Sequence, residues 1–549
     1  MMKKLIAGVL VLAFVAGCAP EDAKQQANAV SKALVNGVSE KPQRPNVIVI
    51  LADDMREDAA GFTGNKLIKT PNIDKLAASG TIFSNAFATS AVCTPSRTSL
   101  LTGLYERRHG INFNSNSSMT NAAYRQTYPM LMKDAGYFVG YVGKNHTPIG
   151  INEAGVAGYK STVMDTSFDY WYASHKHLGF YPKERKAHAI FKNAKADSQI
   201  EIIQEGMENF LHPNDAFQAG YQFLDSRPQD QPFALLINFN VPHGNGTSSM
   251  EQRESDLELY KSVYRDLIDQ VQPPATFVAH KDVKQPKLPL NVHNGEYITT
   301  YNYAMAVDTL KERKIREMQT ISGIDNLLGK LQSQLERQGV ANNTIIVFTS
   351  DHGLLHGEFG LRGKVFLYEP SVSIPLIFYD PRLQNNTEKR NELVALVDIA
   401  PTLLDLSGTP IPEEMQGKSL KPLMQGEETQ WRQEIFLENM MTIQNYPRME
   451  GVRTHQWKYI RYFDRRNDSD YSEMINASID GEKPLYEELF DLVNDAEEKH
   501  NVINDPANAA ILKQLRSRTL ELVEEYRGTE PLKTHVNEGE AEAVDPLLG

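Results

Sequence analysis

The sequence predicts a mixed α/β fold in which a mainly parallel central sheet is sandwiched by helices, with a smaller C-terminal α+β subdomain containing a short antiparallel sheet. Three observations predict it. The chain has 549 residues, enough for one large core and a smaller one. Short apolar runs alternate with helical patterns over most of its length, which is the texture of a sheet covered on both faces. After a stretch rich in Pro, Gly and Glu at 410–426, closely spaced short strands and one helix take over. Hydrophobic residues make up 41% and charged residues 23%, the balance of an ordinary globular enzyme. The net charge of -13 argues against a nucleic-acid binder, yet basic residues can still converge locally on an anion.

The chain opens with a targeting segment at 1–18: Lys3 and Lys4 precede an apolar run from Leu5 to Val15 that is too short to span a bilayer. Its end, Val15-Ala16-Gly17-Cys18, resembles the bacterial lipobox, in which the Cys thiol is lipidated and becomes the mature N-terminus. A plain signal peptide cleaved nearby is the alternative. Ala19 in place of Asp after the Cys implies an outer-membrane destination in a Gram-negative host. The expectation is an exported lipoprotein held at the cell membrane or outer membrane, facing the periplasm or the surface. Polar residues 19–43 read as a flexible tether.

The main domain is expected over 44–412. Its strands are expected at Val47 to Leu51, Tyr137 to Val142, Phe233 to Phe239, Thr344 to Phe348 and Ile374 to Tyr379. Helices are expected at Asn72 to Ser79, Tyr128 to Ala135, Ala216 to Leu224 and about Tyr303 to Gln338. A subdomain over 413–528 follows, with strands at Glu434 to Leu437, Gly451 to Thr454 and Lys458 to Phe463 and a helix from about Asn508 to Tyr526. The acidic tail at 529–549 is expected to fray. The sequence shows no internal repeat and no transmembrane helix after the targeting segment.

With Cys18 assigned to the anchor, Cys93 is the second of two cysteines, so the exported mature chain cannot form an internal disulfide. A free Cys is commonly a small buried hydrophobe. The surrounding residues argue for chemistry instead: Cys93-Thr94-Pro95-Ser96-Arg97 continues into Thr98-Ser99-Leu100-Leu101-Thr102-Gly103. Pro95 suits the first turn of a helix, which puts residue 93 just before a helix N-terminus, where free N–H groups and the dipole favour an anion. Asp53-Asp54 follows the first strand, and Asp351-His352 follows the strand ending at Phe348. In open α/β sheets ligands collect beyond the carboxyl ends of strands, although an acid pair there also suits a helix N-cap. Gly143-Lys144-Asn145-His146, Val241-Pro242-His243 and Lys364 join the set because they resemble elements of the same known family as the Cys93 segment. A lone Lys is usually solvated and a lone His usually satisfied in or near a core; at several strand ends on one rim, they gain a common purpose.

The Cys93 to Gly103 segment resembles the signature of type I, formylglycine-dependent sulfatases of the alkaline phosphatase superfamily, and the resemblance runs from Arg44 to about Val502. It implies an alkaline-phosphatase-like fold and a sulfuric ester hydrolase. It also implies that a formylglycine-generating or sulfatase-maturing enzyme converts Cys93 to formylglycine. Asp53, Asp54, Asp351, His352 and residue 93 are then expected to hold Ca²⁺. The commoner pattern has Asn where this chain has His352, which leaves another divalent metal open. The expected catalytic set is Cys93, Arg97, Lys144, His146, His243 and Lys364. The implied substrate is a sulfated carbohydrate, either an algal polysaccharide such as carrageenan or ulvan or a glycosaminoglycan. Gly451 to Thr454, Trp457 to Tyr459 and Glu488 to Leu492 also resemble the family and read as mostly structural. Two alternatives stand beside this reading: a phosphonate or phosphodiester hydrolase of the same superfamily, and a glycan-binding lipoprotein without catalysis. The region from Gly150 to Thr300 matches no pattern; its Trp171, Tyr172, His175, His177 and Arg185 read either as sugar subsites or as surface decoration.

Overall fold

The first strand, β1 (Asn46–Asp53), is apolar between its two end residues and buried along its whole length, so it belongs in the middle of a sheet covered on both faces. In the computed structural model it does sit there. The structure describes residues 44–111, 117–176, 178–184, 190–211, 230–243, 252–289, 291–292, 306–383, 389–427, 430–441, 446–464, 478–527 and 534–536. Cys18, the tether, His177, Arg185 and the helix expected at Ala216 to Leu224 lie outside the described residues.

Seven further strands complete the main sheet: β2 (Thr81–Phe87), β3 (Phe138–Asn145), β4 (Tyr170–His175), β5 (Phe233–Pro242), β6 (Thr344–Ser350), β7 (Leu376–Tyr379) and β8 (Lys389–Ala395). Their order is β8-β2-β7-β6-β1-β5-β3-β4. Only β7 runs antiparallel to its neighbours β6 and β2; every other adjacent pair is parallel. The principal helices are α1 (Pro71–Ser79), α2 (Cys93–Thr102), α3 (Tyr128–Asp134), α4 (Gln199–Leu211), α5 (Val307–Arg337), α6 (Ile399–Ser407) and α7 (Ala509–Arg527). Side-chain alternation along β1 divides the core. Ile48, Ile50 and Ala52 join Ile73 of α1, Met207 of α4 and Leu328 of α5 on one face. Val47, Val49 and Leu51 join Met132 of α3 and Leu403 of α6 on the other. Each of these Val, Leu, Ile and Met side chains, fully withdrawn from water, stabilises the fold by about 1.5–3 kcal/mol.

The C-terminal sheet has the order β9 (Glu434–Asn439), β10 (Arg448–Thr454), β11 (Trp457–Phe463) and β12 (Tyr486–Asp491), antiparallel throughout. Its β12 is one strand more than expected. Phe436, Tyr459, Tyr462 and Phe490 share a cluster with Phe87, Tyr105, Leu367 and Tyr368 of the main domain and with Leu515 and Leu522 of α7. Residues 45–549 accordingly form one compact unit. The tail does not simply fray, because Thr534–Val536 pairs antiparallel with Ser117–Met119. Ladder hydrogen bonds give Thr534–Val536 a place that composition did not reveal.

Candidate active site

The three central strands set the rim. β1 lies between β5 and β6, and Asp53 is in register with Pro242 while Ala52 is in register with Ser350. The chain therefore leaves all three strands at one edge, with Asp53-Asp54, His243 and Asp351-His352 side by side. Two backbone bonds fix the arrangement: His243 N–H donates to Asp53 C=O at 3.0 Å, and Asp351 N–H donates to Ala52 C=O at 3.1 Å. Asp54 takes a left-handed φ of 63°, which an Asp tolerates better than a branched residue would. On β3, Gly143 has a φ of 101°, and a Cβ there would lie 2.0 Å from the Asn238 carbonyl oxygen. Glycine thus lets β3 turn against β5 and deliver Lys144 to the rim.

Cys93 enters from below on α2. It is the first residue of that helix, one position further in than the sequence suggested. Val92 is the N-cap, and Pro95 still sits in the first turn, where its missing N–H breaks no helical bond. The Cys93 sulfur is 2.9 Å from Lys364 Nζ, 3.4 Å from Asp53 Oδ1 and 3.4 Å from His352 Nε2. Arg97, one turn on, reaches Asp351 Oδ2 with Nε at 2.8 Å and Asp53 Oδ2 with Nη2 at 3.2 Å. Lys144 Nζ also contacts Asp53 Oδ2, while Lys364 Nζ is 3.0 Å from Asp54 Oδ1 and His243 Nε2 is 3.8 Å from Asp54 Oδ2. His146 is buried just past the end of β3, with its ring parallel to that of Tyr159 at 6.4 Å between centroids.

Asp53, Asp54, Cys93, Arg97, Lys144, His243, Asp351, His352 and Lys364 are thus linked by direct contacts in one cluster at the rim. Ligand atoms of Asp53, Asp54, Cys93 and His243 lie within 4.8 Å of one another, and so do those of Asp53, Cys93, Asp351 and His352. A set dominated by carboxylate oxygen, with one imidazole, fits a hard divalent cation. Asp53, Asp54, Asp351 and His352 would hold it beside position 93. His352 Nδ1 is 2.9 Å from the Gly353 carbonyl oxygen, so Nε2 is the ring nitrogen that faces Cys93.

The charges differentiate the acids. Burial alone would raise Asp53, but Lys144, then Arg97, His243 and Lys364, hold it well below the usual carboxylate range. Asp54 is raised, by burial first, with Lys364 and His352 opposing and the neighbouring Asp53 and Asp351 adding to the effect. Burial works against a charged His352, yet Asp351 and Cys93 chiefly overcome it and push the ring up to about 9.

Comparison with known proteins follows this geometry. The sulfatase family model matches residues 45–409. This chain belongs to the sulfatase family. A second model, described as the C-terminal part of N-sulphoglucosamine sulphohydrolase, matches residues 357–525 of the sulfatase. N-acetylglucosamine-6-O-sulfatase of Bacteroides thetaiotaomicron is 26% identical over 561 residues, covering 90% of this chain and 89% of its own. Arylsulfatase of Clostridium perfringens is 27% identical over 500 residues, covering 86% and 95%. Among solved structures, one in complex with its substrate D-glucosamine-2-N,6-O-disulfate matches with a TM-score of 0.61 at 21% identity, covering 89% of this chain and 99% of that one. Phosphonate monoester hydrolase of Agrobacterium radiobacter matches with a TM-score of 0.64 at 20% identity, covering 88% and 96%. These two likenesses establish the fold. The sulfatase is a sulfuric ester hydrolase.

The structure also brings in residues that the sequence did not single out. Arg56, two positions after Asp54, donates to the Leu354 carbonyl at 2.9 Å and to Glu358 Oε1 at 2.6 Å. It ties the loop carrying Asp53 and Asp54 to the segment between His352 and Lys364. Nothing in the sequence marks Arg56 out from any other charged loop residue. Of the unplaced aromatics, Tyr172 is a core residue packed on Phe191 and Trp171 packs on the opposite face of the sheet, whereas His175 stands at the rim end of β4 with its ring centroid 5.6 Å from that of Trp171. Arg453 is structural as expected, lying 4.6 Å over the Phe87 ring and bonded to Glu369.

Proposed function

We propose that this sulfatase removes sulfate from a sulfated polysaccharide or its oligosaccharides, with a formylglycine made from Cys93 and a bound Ca²⁺. The observation that carries the reading is the gathering of Cys93, three carboxylates, His352 and the basic set Arg97, Lys144, His243 and Lys364 at one strand rim. The carbohydrate substrate is supported by the relative named for N-acetylglucosamine 6-sulfate and by the disulfated glucosamine bound to a structural neighbour. Lys3, Lys4 and the Leu5 to Cys18 run support an exported lipoprotein, matured by a sulfatase-maturing enzyme and anchored through Cys18.

The sulfur of Cys93 stands in for the oxygens of the hydrated aldehyde. When present, formylglycine supplies geminal hydroxyls on one carbon, and the divalent cation supplies charge that lowers their pKa and polarises the sulfate. The chain's own residues do the remainder. Arg97 orients Asp53 and Asp351 through its fork of donors. Lys144, His243 and Lys364 neutralise the sulfate oxygens as charge grows towards the transition state. His243, with Lys364, delivers a proton to the departing alcohol oxygen, and His146 takes the proton of the second hydroxyl at position 93 as sulfate leaves.

The test is a sulfate-release screen over defined sulfated oligosaccharides, using protein whose aldehyde at position 93 has been verified by mass spectrometry, with an aryl phosphonate ester in parallel. Sulfate is expected from at least one oligosaccharide, and none from Cys93→Ala, which should fold as the parent does. Faster turnover of the phosphonate than of every sulfate ester would replace this reading with the phosphonate hydrolase one. Bound glycan without any turnover would favour the non-catalytic one.

A further inference from the structure

β4 is the last strand of the main sheet, and it ends level with β3: Lys144 is in register with Ser174 and Asn145 with His175. The carboxyl edge next to Lys144 is therefore continued by His175. The Asn145 side-chain oxygen accepts from Thr147 N–H at 3.1 Å, which turns its amide nitrogen towards His175 Nδ1 at 2.8 Å. On the far side of the ring, His175 Nε2 lies 2.9 Å from Asp165 Oδ1. The Tyr159 ring stands over both histidines, 6.4 Å from His146 at an interplanar angle of 14° and 5.3 Å from His175 at 42°. Trp171 backs His175 from the side of Tyr141 and Phe168. Buried aromatics usually belong to a core, but Tyr159 is only partly buried, and the His175 and Asp165 side chains keep 24% and 30% of their surface.

We propose that Tyr159 and Asp165 form the subsite that grips the sugar ring carrying the sulfate. This inference rests on the sulfatase reading and adds to it the part of the site that takes the alcohol. An aromatic face beside a carboxylate is the pairing that a sugar needs, since its C–H face is apolar and its hydroxyls seek acceptors. Asn145 and His175 are positioning residues: through them the subsite is pinned to the strand end that carries Lys144 and His146. Lys160 and Lys176, on the same two segments, add positive charge beside it, which suits a polyanionic chain approaching a protein of net charge -13. A flat aryl sulfate would find the Tyr159 face but not the hydroxyl partners that Asp165 serves.

The experiment measures kcat and KM for Tyr159→Ala, Tyr159→Phe and Asp165→Asn with matured full-length protein. The substrates are N-acetylglucosamine 6-sulfate, N-acetylgalactosamine 4-sulfate, ulvan and carrageenan oligosaccharides and 4-nitrophenyl sulfate, and inorganic sulfate serves as a competitive inhibitor. On the saccharide that the parent turns over fastest, Tyr159→Ala and Asp165→Asn are expected to raise KM by about tenfold with kcat held within about threefold. Tyr159→Phe keeps the parent KM, and the inhibition constant of inorganic sulfate stays unchanged in all three. A parallel weakening of inorganic sulfate, a fall confined to kcat, or no change at all overturns the subsite. Turnover of 4-nitrophenyl sulfate but of no saccharide overturns it too while leaving the sulfatase reading intact. Turnover of no sulfate ester by the parent removes that reading itself.

Discussion

Arg97 shows how much a single side chain does here. Its guanidinium spans Asp53 and Asp351 and also donates to the Phe239 carbonyl at 3.2 Å, a fork that an ammonium group cannot reproduce. Arg97→Lys is expected to lower kcat/KM by about 100-fold, the scale of losing one preorganised donor in a buried site. Steady-state kinetics on matured protein check it, and activity within about threefold of the parent would contradict the role. At this scale the sequence was most informative where chemistry demands a fixed residue at a strand end, as at Asp53, Asp351, Lys144 and His243. Arg56 escaped because its partners Leu354 and Glu358 lie far away in sequence, and Tyr159 and Asp165 because no local pattern distinguishes them from surface residues.

Elements hold these residues in place, and α1 shows how. Its N-terminus is capped from α5: Asp325, almost wholly buried, accepts from Asn72 N–H at 2.9 Å and Ile73 N–H at 2.8 Å. The cap satisfies two helix-end donors and clamps two helices together. Asp325→Ala is expected to cost about 1–3 kcal/mol by chemical denaturation while leaving kcat/KM unchanged at 25 °C. A neutral effect on stability would mean that water replaces the carboxylate. The strands that reasoning from pattern found are the central ones, β1, β3, β5, β6 and β7, whose burial on both faces makes them continuously apolar. It missed β2, β4 and β8. In β2, Ser84 and Asn85 interrupt the apolar run, and β8 opens with Lys389-Arg390-Asn391-Glu392 and shifts register before Leu393. Strands near or at a sheet edge read like polar loops because solvent accepts their side chains. Helix α2 was anticipated from Pro95 alone, since its almost complete burial leaves no amphipathic stripe to detect.

Across the whole molecule, the junction between the two sheets carries a buried charge network. Lys458 of β11 lies 2.7 Å from both Glu369 of the main domain and Glu498. Burial pushes Glu498 up to about 7, with Lys458 opposing and Glu369 adding to the rise; Glu369, despite its burial, is held down to about 2 by Lys458 and Arg453. A carboxyl raised in the folded state favours folding while protonated, so its contribution is full below the unfolded value of 4.5 and is lost as pH rises to about 7. Glu369 acts in the opposite sense, its contribution vanishing as pH falls from 4.5 to about 2. Between pH 5 and 8 the Tm of the parent should therefore fall more than that of Glu498→Gln, and equal slopes in a thermal melt series would rule the network out as the cause. The same global packing brings residues 53, 93, 144, 243, 351 and 364 to one point, and the proposed mechanism requires an aldehyde at position 93. The most direct measurement is sulfate release per molecule across preparations with graded aldehyde content at position 93, each quantified by mass spectrometry. The rate should rise in proportion to the aldehyde and extrapolate to zero without it; a rate independent of that content would contradict the account.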